Sequence, residues 1–185
     1  MIRLIVGLGN PGQQYERTRH NAGFLFVDRL AELYGARWAH SAQFQGDVAE
    51  GSIGAGKVLL LKPMTFMNRS GGSVGAVLRF YKIDCSELLV VHDELELAEG
   101  VARLKRDGGH AGHNGLRDII SNIGTRDFFR LRIGIGRPAK GGVADYVLSG
   151  FSSDARVRLT ALCDLLLKDV EALVAGDLTR INSLV

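Results

Sequence analysis

Cysteine, proline and long apolar runs are all scarce in this chain of 185 residues, and these shortages exclude whole classes of protein. The two cysteines, Cys85 and Cys163, stand 78 residues apart, so they form neither a disulfide framework nor a zinc knuckle. The apolar stretch at the start spans about five residues, too few for the core of a signal peptide. No apolar run approaches the ~20 residues that a membrane span requires. We therefore expect a protein of the reducing cytoplasm, neither secreted nor embedded in a membrane.

A linker that would divide the chain is also lacking. The sequence has three prolines, no repeat and no Pro/Ser-rich stretch, and its length fits the roughly 150 residues of one domain. Hydrophobic periodicity predicts strands at 2–8, 58–62, 88–94, 101–106 and 129–136, and helices at 21–34, 70–82, 116–123 and 154–174. This order predicts a single α/β domain, residues 1–185, with a mixed, twisted β-sheet flanked by helices.

Two of the predicted helices carry further expectations. The side chain of Asn21 is expected to cap the helix that follows it. The helix at 154–174 is amphipathic and is expected to bury one apolar side, formed by Val157, Ala161, Leu165, Leu166, Val170 and Leu173.

Basic side chains are concentrated in one part of the chain, although the net charge is only +3. Residues 101–140 hold nine Lys and Arg against three Asp, a net charge of +6, so the rest of the chain sums to −3. The nine are Arg103, Lys105, Arg106, Arg117, Arg126, Arg130, Arg132, Arg137 and Lys140. Such a block is the usual footprint of a polyanionic partner. The alternative is a solvated surface with an accidental excess of positive charge.

Polar, glycine-rich segments follow the predicted strands, where α/β sheets place their binding sites. Asn10 follows the first strand, residues 66–68 follow the second, and residues 92–94 end the third. The loop GGHAGHNG at 108–115 follows the fourth strand. We expect these segments to meet around one cleft.

Residues 7–12, GLGNPG, match the G-x-G-x-x-G fingerprint of dinucleotide-binding proteins. That site requires a helix directly after the glycines, because the first helical amides bind the pyrophosphate. Here Pro11 removes an amide, and helical periodicity begins only near residue 21. We therefore interpret the match as a turn and not as a nucleotide site.

Residues 71–75, GGSVG, match the nucleophile elbow of serine esterases, and Asp93 and His113 would complete a Ser–Asp–His order. An elbow serine stands on a tight turn that joins a strand directly to a helix. Ser73 lies 11 residues beyond Lys62, the end of the preceding predicted strand, and this distance favours a place inside the helix. A serine esterase is still the best enzymatic alternative, and labelling of Ser73 by a serine-directed inhibitor would support it.

The histidines at positions 20, 92, 110 and 113 do not have the spacing of a zinc-binding helix, and the glycines at 108–115 indicate a loop. We expect no metal. His20 differs from the others because it stands in a polar stretch just before a helix. Asp93 ends a buried strand, where an uncompensated carboxylate would be costly. If Asp93 accepts the proton of one nitrogen of His20, the other nitrogen is free to take a proton from water.

Four separate blocks together resemble the bacterial-type peptidyl-tRNA hydrolase family. They are GLGNPGxxYxxTRHNxGF (7–24), KPMTFMNRSG (62–71), VVHDELEL (90–97) and GGHAGHNGLRDI (108–119), and with FRLRIGIGRP they cover most of residues 1–138. The resemblance implies a monomeric, single-domain α/β enzyme that cleaves the ester between a peptide and the terminal ribose of tRNA. It thereby recycles tRNA from aborted translation, with no metal, no cofactor and no covalent intermediate.

The resemblance also implies roles for particular residues. His20 would be the general base, Asp93 would hold its basic form, and Asn10 would recognise a blocked amino end. Contacts to the substrate and the 3′ end of the tRNA acceptor stem would come from Tyr15, Phe66, Met67, Asn68, His113 and Asn114. Lys105 and Arg132 correspond to the basic pair that holds the tRNA 5′-phosphate. Amide groups donate without titrating, and aromatic rings suit unstacked bases.

The sequence departs from the family pattern at two positions, and its last part matches the family only loosely. Ala111 stands where members often carry glycine, and Ala98 where proline is frequent. Residues beyond about 140 match only loosely, so the helix at 154–174 is assigned a possible role as a lid or groove wall. The alternative from another class is an RNA-binding protein without catalysis, because a fold and a basic face do not establish hydrolysis. Release of N-blocked aminoacyl groups from tRNA distinguishes the two.

Overall fold

A seven-stranded β-sheet forms the centre of the computed structural model, which describes residues 1–184. The strands are β1 (Leu4–Gly7), β2 (Ala39–Ser41), β3 (Gly46–Ile53), β4 (Gly56–Pro63), β5 (Leu88–Glu94), β6 (Ala102–Arg106) and β7 (Phe129–Gly134). Their order across the sheet is β2-β3-β4-β1-β5-β7-β6. β4, β1, β5 and β7 are parallel, whereas β2, β3 and β6 pair antiparallel with their neighbours. The predicted mixed sheet is confirmed.

Helices cover both faces of the sheet. They are α1 (Ala22–Leu33), α2 (Ser70–Tyr81), α3 (Asn114–Ile123), α4 (Val143–Val147), α5 (Ser153–Lys168), α6 (Val170–Val174) and α7 (Leu178–Asn182). Within residues 1–184, no helix is long and apolar enough to cross a membrane. Val185, the last residue of the predicted domain, lies outside the described residues.

Alternation along the central strands divides the buried side chains into two cores, because successive residues of a strand point to opposite faces. In β1, Ile5 belongs to the core that α1, α5, α6 and α7 cover, whereas Leu4 and Val6 belong to the core under α2 and α3. Strand β5 alternates in the same way. Being buried on both faces explains why these strands read as continuous apolar runs.

The β2–β3 hairpin was not predicted. Its strands contain His40, Asp47 and Glu50, and β2 is largely exposed, so neither strand has the apolar run that marks β1, β4 and β5. β3 nevertheless pairs with β4 over its whole length, from Gly46 opposite Pro63 to Ile53 opposite Gly56. Pairing with a buried neighbour stabilises a strand that its own composition does not favour.

The predicted helix at 154–174 is present but is divided at Asp169 into α5 and α6. The side predicted to be buried was partly wrong, because Val157 is 69% exposed and Ala161 is exposed too. The buried side chains of α5 are instead Ala155, Leu159, Leu162, Cys163, Leu166 and Leu167. All of these except Ala155 belong to the larger core, together with side chains of α1 and the sheet.

The direction of β6 changes the path of the loop that follows it. β6 pairs antiparallel with β7, with Arg106 opposite Phe129 at the start of β7. The loop therefore leaves β6 at the amino end of β7, and not at the carboxyl edge of the parallel strands as expected. Residues 107–113 then return along the sheet to reach that edge at His113. We call this segment the crossing loop.

Candidate active site

The carboxyl edge of the parallel strands brings together polar segments from three strands and one helix. Asn10 follows β1, residues 66–68 follow β4, and residues 92–94 end β5. The amino end of α3, with Asn114, lies against the turn at 67–69. β4, β1 and β5 are neighbours in the sheet, so the segments that follow them converge. The predicted cleft lies at this edge.

His20 and Asp93 are directly paired. His20 lies in a short 3-10 turn, Arg19–Asn21, immediately before α1. Its Nδ1 lies 3.0 Å from Oδ1 and 2.9 Å from Oδ2 of Asp93. A carboxylate can only accept, so Nδ1 carries the proton and Nε2 presents a lone pair. The pairing expected from the sequence is present, in the tautomer that a general base requires.

Asp93 is buried, with 4% of its surface exposed. Burial by itself raises the pKa of its carboxyl group, but the charges and hydrogen bonds of His113 and His20 lower it. The net pKa of Asp93 is well below its ordinary value. The carboxylate is therefore ionised at neutral pH and stabilises positive charge that forms on a neighbouring imidazole.

His113 makes a contact that sequence reasoning did not predict. Its Nε2 lies 2.8 Å from Oδ1 of Asp93, whereas its Nδ1 accepts a hydrogen bond of 3.3 Å from the backbone N–H of Leu116 and thereby caps α3. Because Nδ1 accepts, Nε2 carries the proton and donates to Asp93. Asp93 thus accepts from two histidines, and helix capping fixes the tautomer of the second.

His92 has a structural place beside this group. It is buried, and its Nδ1–H donates to the carbonyl oxygen of Asp93 over 2.8 Å. Burial, and then the proximity of His113, lowers the pKa of His92 to about 3. The ring is therefore neutral at physiological pH and fixes the backbone that carries the Asp93 carboxylate.

His20, Asp93 and His113 are also the set of side chains within residues 1–184 whose spacing would admit a metal ion, since one ligand atom of each lies within 4.8 Å of the others. The same atoms make direct N–H···O contacts of 2.8–3.0 Å. A metal site and a hydrogen-bonded group would therefore use the same three residues. The two differ in whether the histidine nitrogens that face Asp93 carry protons, because a metal ligand must be deprotonated.

Asn10 is fixed on three sides. Its backbone N–H donates to Oδ1 of Asn21 over 2.8 Å, and its carbonyl accepts from Nδ2 of Asn21 over 3.0 Å. Its own Oδ1 accepts from the backbone N–H of Met67 over 2.7 Å. Its Nδ2 group is the donor that remains for a ligand. The expected capping of α1 by the Asn21 side chain was wrong, because that side chain is used to hold Asn10.

Two cavities, of about 350 and about 290 Å³, share His20 and Asn114 in their walls. The smaller is lined by most of the residues that the resemblance assigns to substrate, namely Asn10, Tyr15, Phe66, Met67, Asn68 and Asn114. The rings of Tyr15 and Phe66 are nearly perpendicular, with centroids 6.4 Å apart, and Phe66 is 57% exposed. The larger cavity extends past Asp93 and His113.

A short helix that sequence reasoning missed, α4, borders both cavities through Ala144 and Val147. Tyr146 anchors it by donating to the carbonyl of Ile135, and the Arg19 guanidinium packs over the Tyr146 ring at 4.2 Å. Residues 154–174 line neither cavity and pack against the sheet. The position of a groove wall, assigned from the sequence to 154–174, is thus occupied by α4.

Lys105 and Arg132 lie on neighbouring strands outside both cavities. Burial, and then the charges of Arg132 and Arg130, lower the pKa of Lys105, so these cations are close together. Arg132 donates from Nε to Glu94 over 2.9 Å. The basic block is less of a surface feature than its composition indicates, because Arg130 is only 1% exposed.

The other two sequence matches have packing roles. Gly9 lies against the ring of Phe24, where an added Cβ would come within 2.6 Å, and only a 3-10 turn at Gln13–Tyr15 follows the glycines. Ser73 is fully buried inside α2. The predicted place of Ser73 inside a helix is confirmed, and a buried serine is not placed to attack a substrate.

Fold and site together define an α/β protein with a histidine–aspartate pair arranged to activate water at the carboxyl edge of its sheet. Residues 4–185 match the family model described as peptidyl-tRNA hydrolase. The peptidyl-tRNA hydrolase of Methylococcus capsulatus is 53% identical over 183 residues, covering 98% of this chain and 97% of the relative. That of Dichelobacter nodosus is 50% identical over 179 residues, covering 96% and 95%.

A solved structure gives the same result. The crystal structure of peptidyl-tRNA hydrolase from Acinetobacter baumannii is 46% identical and superimposes with a TM-score of 0.93, covering 99% of this chain and 93% of that one. The chain belongs to the peptidyl-tRNA hydrolase family. The family resemblance drawn from the four sequence blocks is therefore confirmed.

Proposed function

We propose that this protein hydrolyses the ester between a peptide, or an N-blocked aminoacyl group, and the terminal ribose of tRNA, and so recycles tRNA from prematurely released peptidyl-tRNA. One observation carries the proposal. His20 has its Nδ1 on a buried, ionised Asp93 and lines both cavities, so its Nε2 is the basic atom nearest an incoming ester. Membership of the family supplies the substrate class.

The reaction needs only water and this pair. Nε2 of His20 takes a proton from water as the oxygen attacks the ester carbonyl carbon, and the carbonyl electrons move to the oxygen. Asp93 stabilises the imidazolium through Nδ1. When the tetrahedral intermediate collapses, the ribose oxygen leaves with its bonding electrons and takes the proton from Nε2. The products are a peptide with a free carboxyl group and a tRNA with a free terminal hydroxyl.

The asparagines hold the acyl part of the substrate. Oδ1 of Asn10 is occupied by the N–H of Met67, so Nδ2 donates to a carbonyl of the blocked amino end. Asn68 and Asn114 are exposed in the same cavity and donate to the peptide or to the developing oxyanion. Amide donors suit this task because they stabilise negative charge without losing a proton.

The tRNA is held in two places. Tyr15 and Phe66 stack on unpaired bases of its 3′ end, with Met67 and His113 in the wall of the groove. Lys105 and Arg132 hold the 5′-phosphate of the acceptor stem, outside the cavities. The enzyme acts as a monomer in the cytoplasm, without a cofactor or a metal.

A deacylation assay tests the proposal. N-blocked and free aminoacyl-tRNA are compared as substrates of the wild type, His20→Ala and His40→Ala. His40 is a matched control, because its Nδ1 also contacts an aspartate, Asp47, at 2.9 Å but on the surface. We expect hydrolysis of the blocked substrate alone, a loss of about 10²–10⁴-fold in His20→Ala, and wild-type rates in His40→Ala. Binding of tRNA without hydrolysis by the wild type would support the RNA-binding alternative.

A chelation arm tests metal independence. Turnover should survive exhaustive treatment with a chelator, because protonated nitrogens that face Asp93 are hydrogen-bond donors and not metal ligands. Loss of turnover that is restored by an added divalent ion would instead place a metal between His20, Asp93 and His113.

A further inference from the structure

We propose that Arg130 is a positioning residue that holds the crossing loop, residues 107–113, in the conformation that presents His113 and Asn114 to the substrate. The proposal deepens the function proposed above and rests on it. Arg130 lines neither cavity and makes no hydrogen bond to His20 or His113, so its effect on them passes through the loop.

The crossing loop requires a tether because of its path and its backbone. It starts at the amino end of β7, where its Asp107 N–H donates to the Phe128 carbonyl, and it ends at the carboxyl edge with His113. Four of its residues have positive φ angles, Asp107 (67°), Gly108 (113°), Ala111 (49°) and Gly112 (83°). Of these, Ala111 is strained, because alanine rarely adopts this region, whereas glycine and aspartate tolerate it better. A strained segment persists only where its surroundings determine it.

Arg130 supplies that restraint from inside the protein. Its Nη2 donates to the carbonyls of Gly108 (2.5 Å) and Arg126 (2.8 Å), and its Nη1 donates to the carbonyl of Gly109 (2.8 Å). The guanidinium also packs over the Phe128 ring at 4.3 Å. These contacts tie the loop to the segment that enters β7. The planar fork of arginine can serve several acceptors at once, which a single ammonium group cannot.

The burial of this charge argues for a dedicated role. Arg130 is 1% exposed, and within residues 1–184 no carboxylate forms an ion pair with it. Its Nε is buried without a hydrogen-bond partner. An unpaired buried cation is costly, and a leucine or methionine would fill the core at lower cost. The compensation that this structure provides is the nearby charge of Asp107 and the carbonyls of Gly108, Gly109 and Arg126.

The far end of the loop shows what the tether secures. The His113 N–H donates to the His110 carbonyl, and the Gly112 N–H donates to Nδ1 of His110. These turns deliver His113 to Asp93 and place Asn114 in both cavities. Release of the loop at Gly108 and Gly109 would therefore disturb the chemistry without removing any group that performs it.

Three variants test the proposal. Arg130→Met removes the charge and the planar guanidinium group, and Arg130→Lys keeps the charge alone. Arg3→Met is a matched control that removes an exposed arginine just before β1, which β5 separates from β7. Each is assayed for global unfolding, for hydrogen exchange of the amides at 108–113, and for kcat and KM. The substrates are full-length peptidyl-tRNA and a minimal substrate without the tRNA 5′-phosphate.

In Arg130→Met we expect exchange at 108–113 to rise while the amides of β1 and β5 stay protected. We expect kcat/KM to fall on the order of 10–100-fold, as for misplaced catalytic groups, and equally on both substrates. Arg130→Lys should show the same changes to a smaller degree, and Arg3→Met should match the wild type. If Arg130→Met does not fold, Arg130→Lys carries the same tests.

Three results would overturn the proposal. Unchanged exchange in the loop would show that Arg130 does not hold it. Exchange that rises equally at all amides would show a general structural role. A loss confined to full-length tRNA, with a flatter salt dependence, would make Arg130 a phosphate ligand. A wild type that hydrolyses neither substrate refutes the proposed function but leaves the exchange test of the tether intact.

Discussion

Asp93→Asn replaces a carboxylate with an amide of the same shape, and the geometry shows how this change reaches His20. Oδ1 of Asp93 accepts from both histidines, from His20 Nδ1 at 3.0 Å and from His113 Nε2 at 2.8 Å, whereas Oδ2 faces His20 Nδ1 alone at 2.9 Å. The better orientation of the asparagine therefore keeps its oxygen at the Oδ1 position. Its NH₂ group then lies 2.9 Å from His20 Nδ1, where two donors face each other.

His20 can relieve this conflict in two ways: it can keep its proton on Nδ1 and donate only to the oxygen at the Oδ1 position, or it can move its proton to Nε2. In the second case, Nδ1 accepts from the asparagine, but Nε2 no longer has the lone pair that takes a proton from water. The other amide orientation is worse, because the NH₂ group would face both histidines. Asp93→Asn should therefore lower kcat/KM by up to about 10²–10⁴-fold, the contribution of a general base, and by no more than His20→Ala does.

Single-turnover release of an N-blocked aminoacyl group from tRNA measures the chemical step directly. His113→Asn is the matched control, because it removes the second donor to Asp93 and leaves the bond of His20 to Asp93 in place. One lost hydrogen bond to a charged group should cost roughly 10-fold. If Asp93→Asn stays within about threefold of the wild type with unchanged circular dichroism, Asp93 does not hold the basic form of His20.

The remaining predictions concern binding and stability. Lys105→Ala and Arg132→Ala should each raise KM for peptidyl-tRNA with little change in kcat. In a plot of the logarithm of tRNA affinity against the logarithm of salt concentration, each variant should reduce the slope by about 0.7–0.9. An unchanged slope would place the phosphate elsewhere. Ala111→Gly should stabilise the protein by roughly 0.5–1 kcal/mol, measured by urea denaturation. Glycine relieves the strain of an alanine in the left-handed region (φ 49°), and its larger loss of chain entropy on folding offsets only part of this gain. A loss of stability would contradict this prediction. The folded protein resists protonation of His92, whose pKa is lowered to about 3, whereas the unfolded chain accepts a proton below about pH 6.5. Stability should therefore fall as the pH drops from about 6.5 to about 3. His92→Asn keeps a donor to the Asp93 carbonyl but cannot be protonated in this range. Between pH 7.5 and 4.5 its free energy of unfolding should fall by roughly 2–3 kcal/mol less than that of the wild type, at ~1.36 kcal/mol per pH unit. Equal losses of stability in the two proteins would contradict this prediction.

Burial on both faces made the parallel core predictable from the sequence. A strand such as β5 is a continuous apolar run, and the polar residues at its end mark the edge where the site lies. The pairing of His20 with Asp93 followed from the same physics, since a carboxylate at the end of a buried strand requires a partner. The β2–β3 hairpin has no comparable signal, because half of its side chains face water.

Strand direction was the main feature that the sequence concealed. The alternating pattern of β6 is the same whether the strand runs parallel or antiparallel to β7, so the path of the crossing loop could not be derived. The contact of His113 with Asp93 and the burial of Arg130 both depend on that path. A single arginine in a basic segment is normally read as surface charge, and only three-dimensional contacts distinguish Arg130 from its neighbours.

The strand order also affects when the site can form while the chain is being synthesised. β6 is synthesised before β7 but pairs with β7 in the sheet, which separates it from β5. His20 and Asp93 are 73 residues apart, and His113 joins them from a further 20 residues along. We expect a chain that is still being translated to be inactive until these contacts form, because contacts of such long sequence separation slow folding. β6 can join the sheet only after β7 has been synthesised, because β7 lies between β5 and β6.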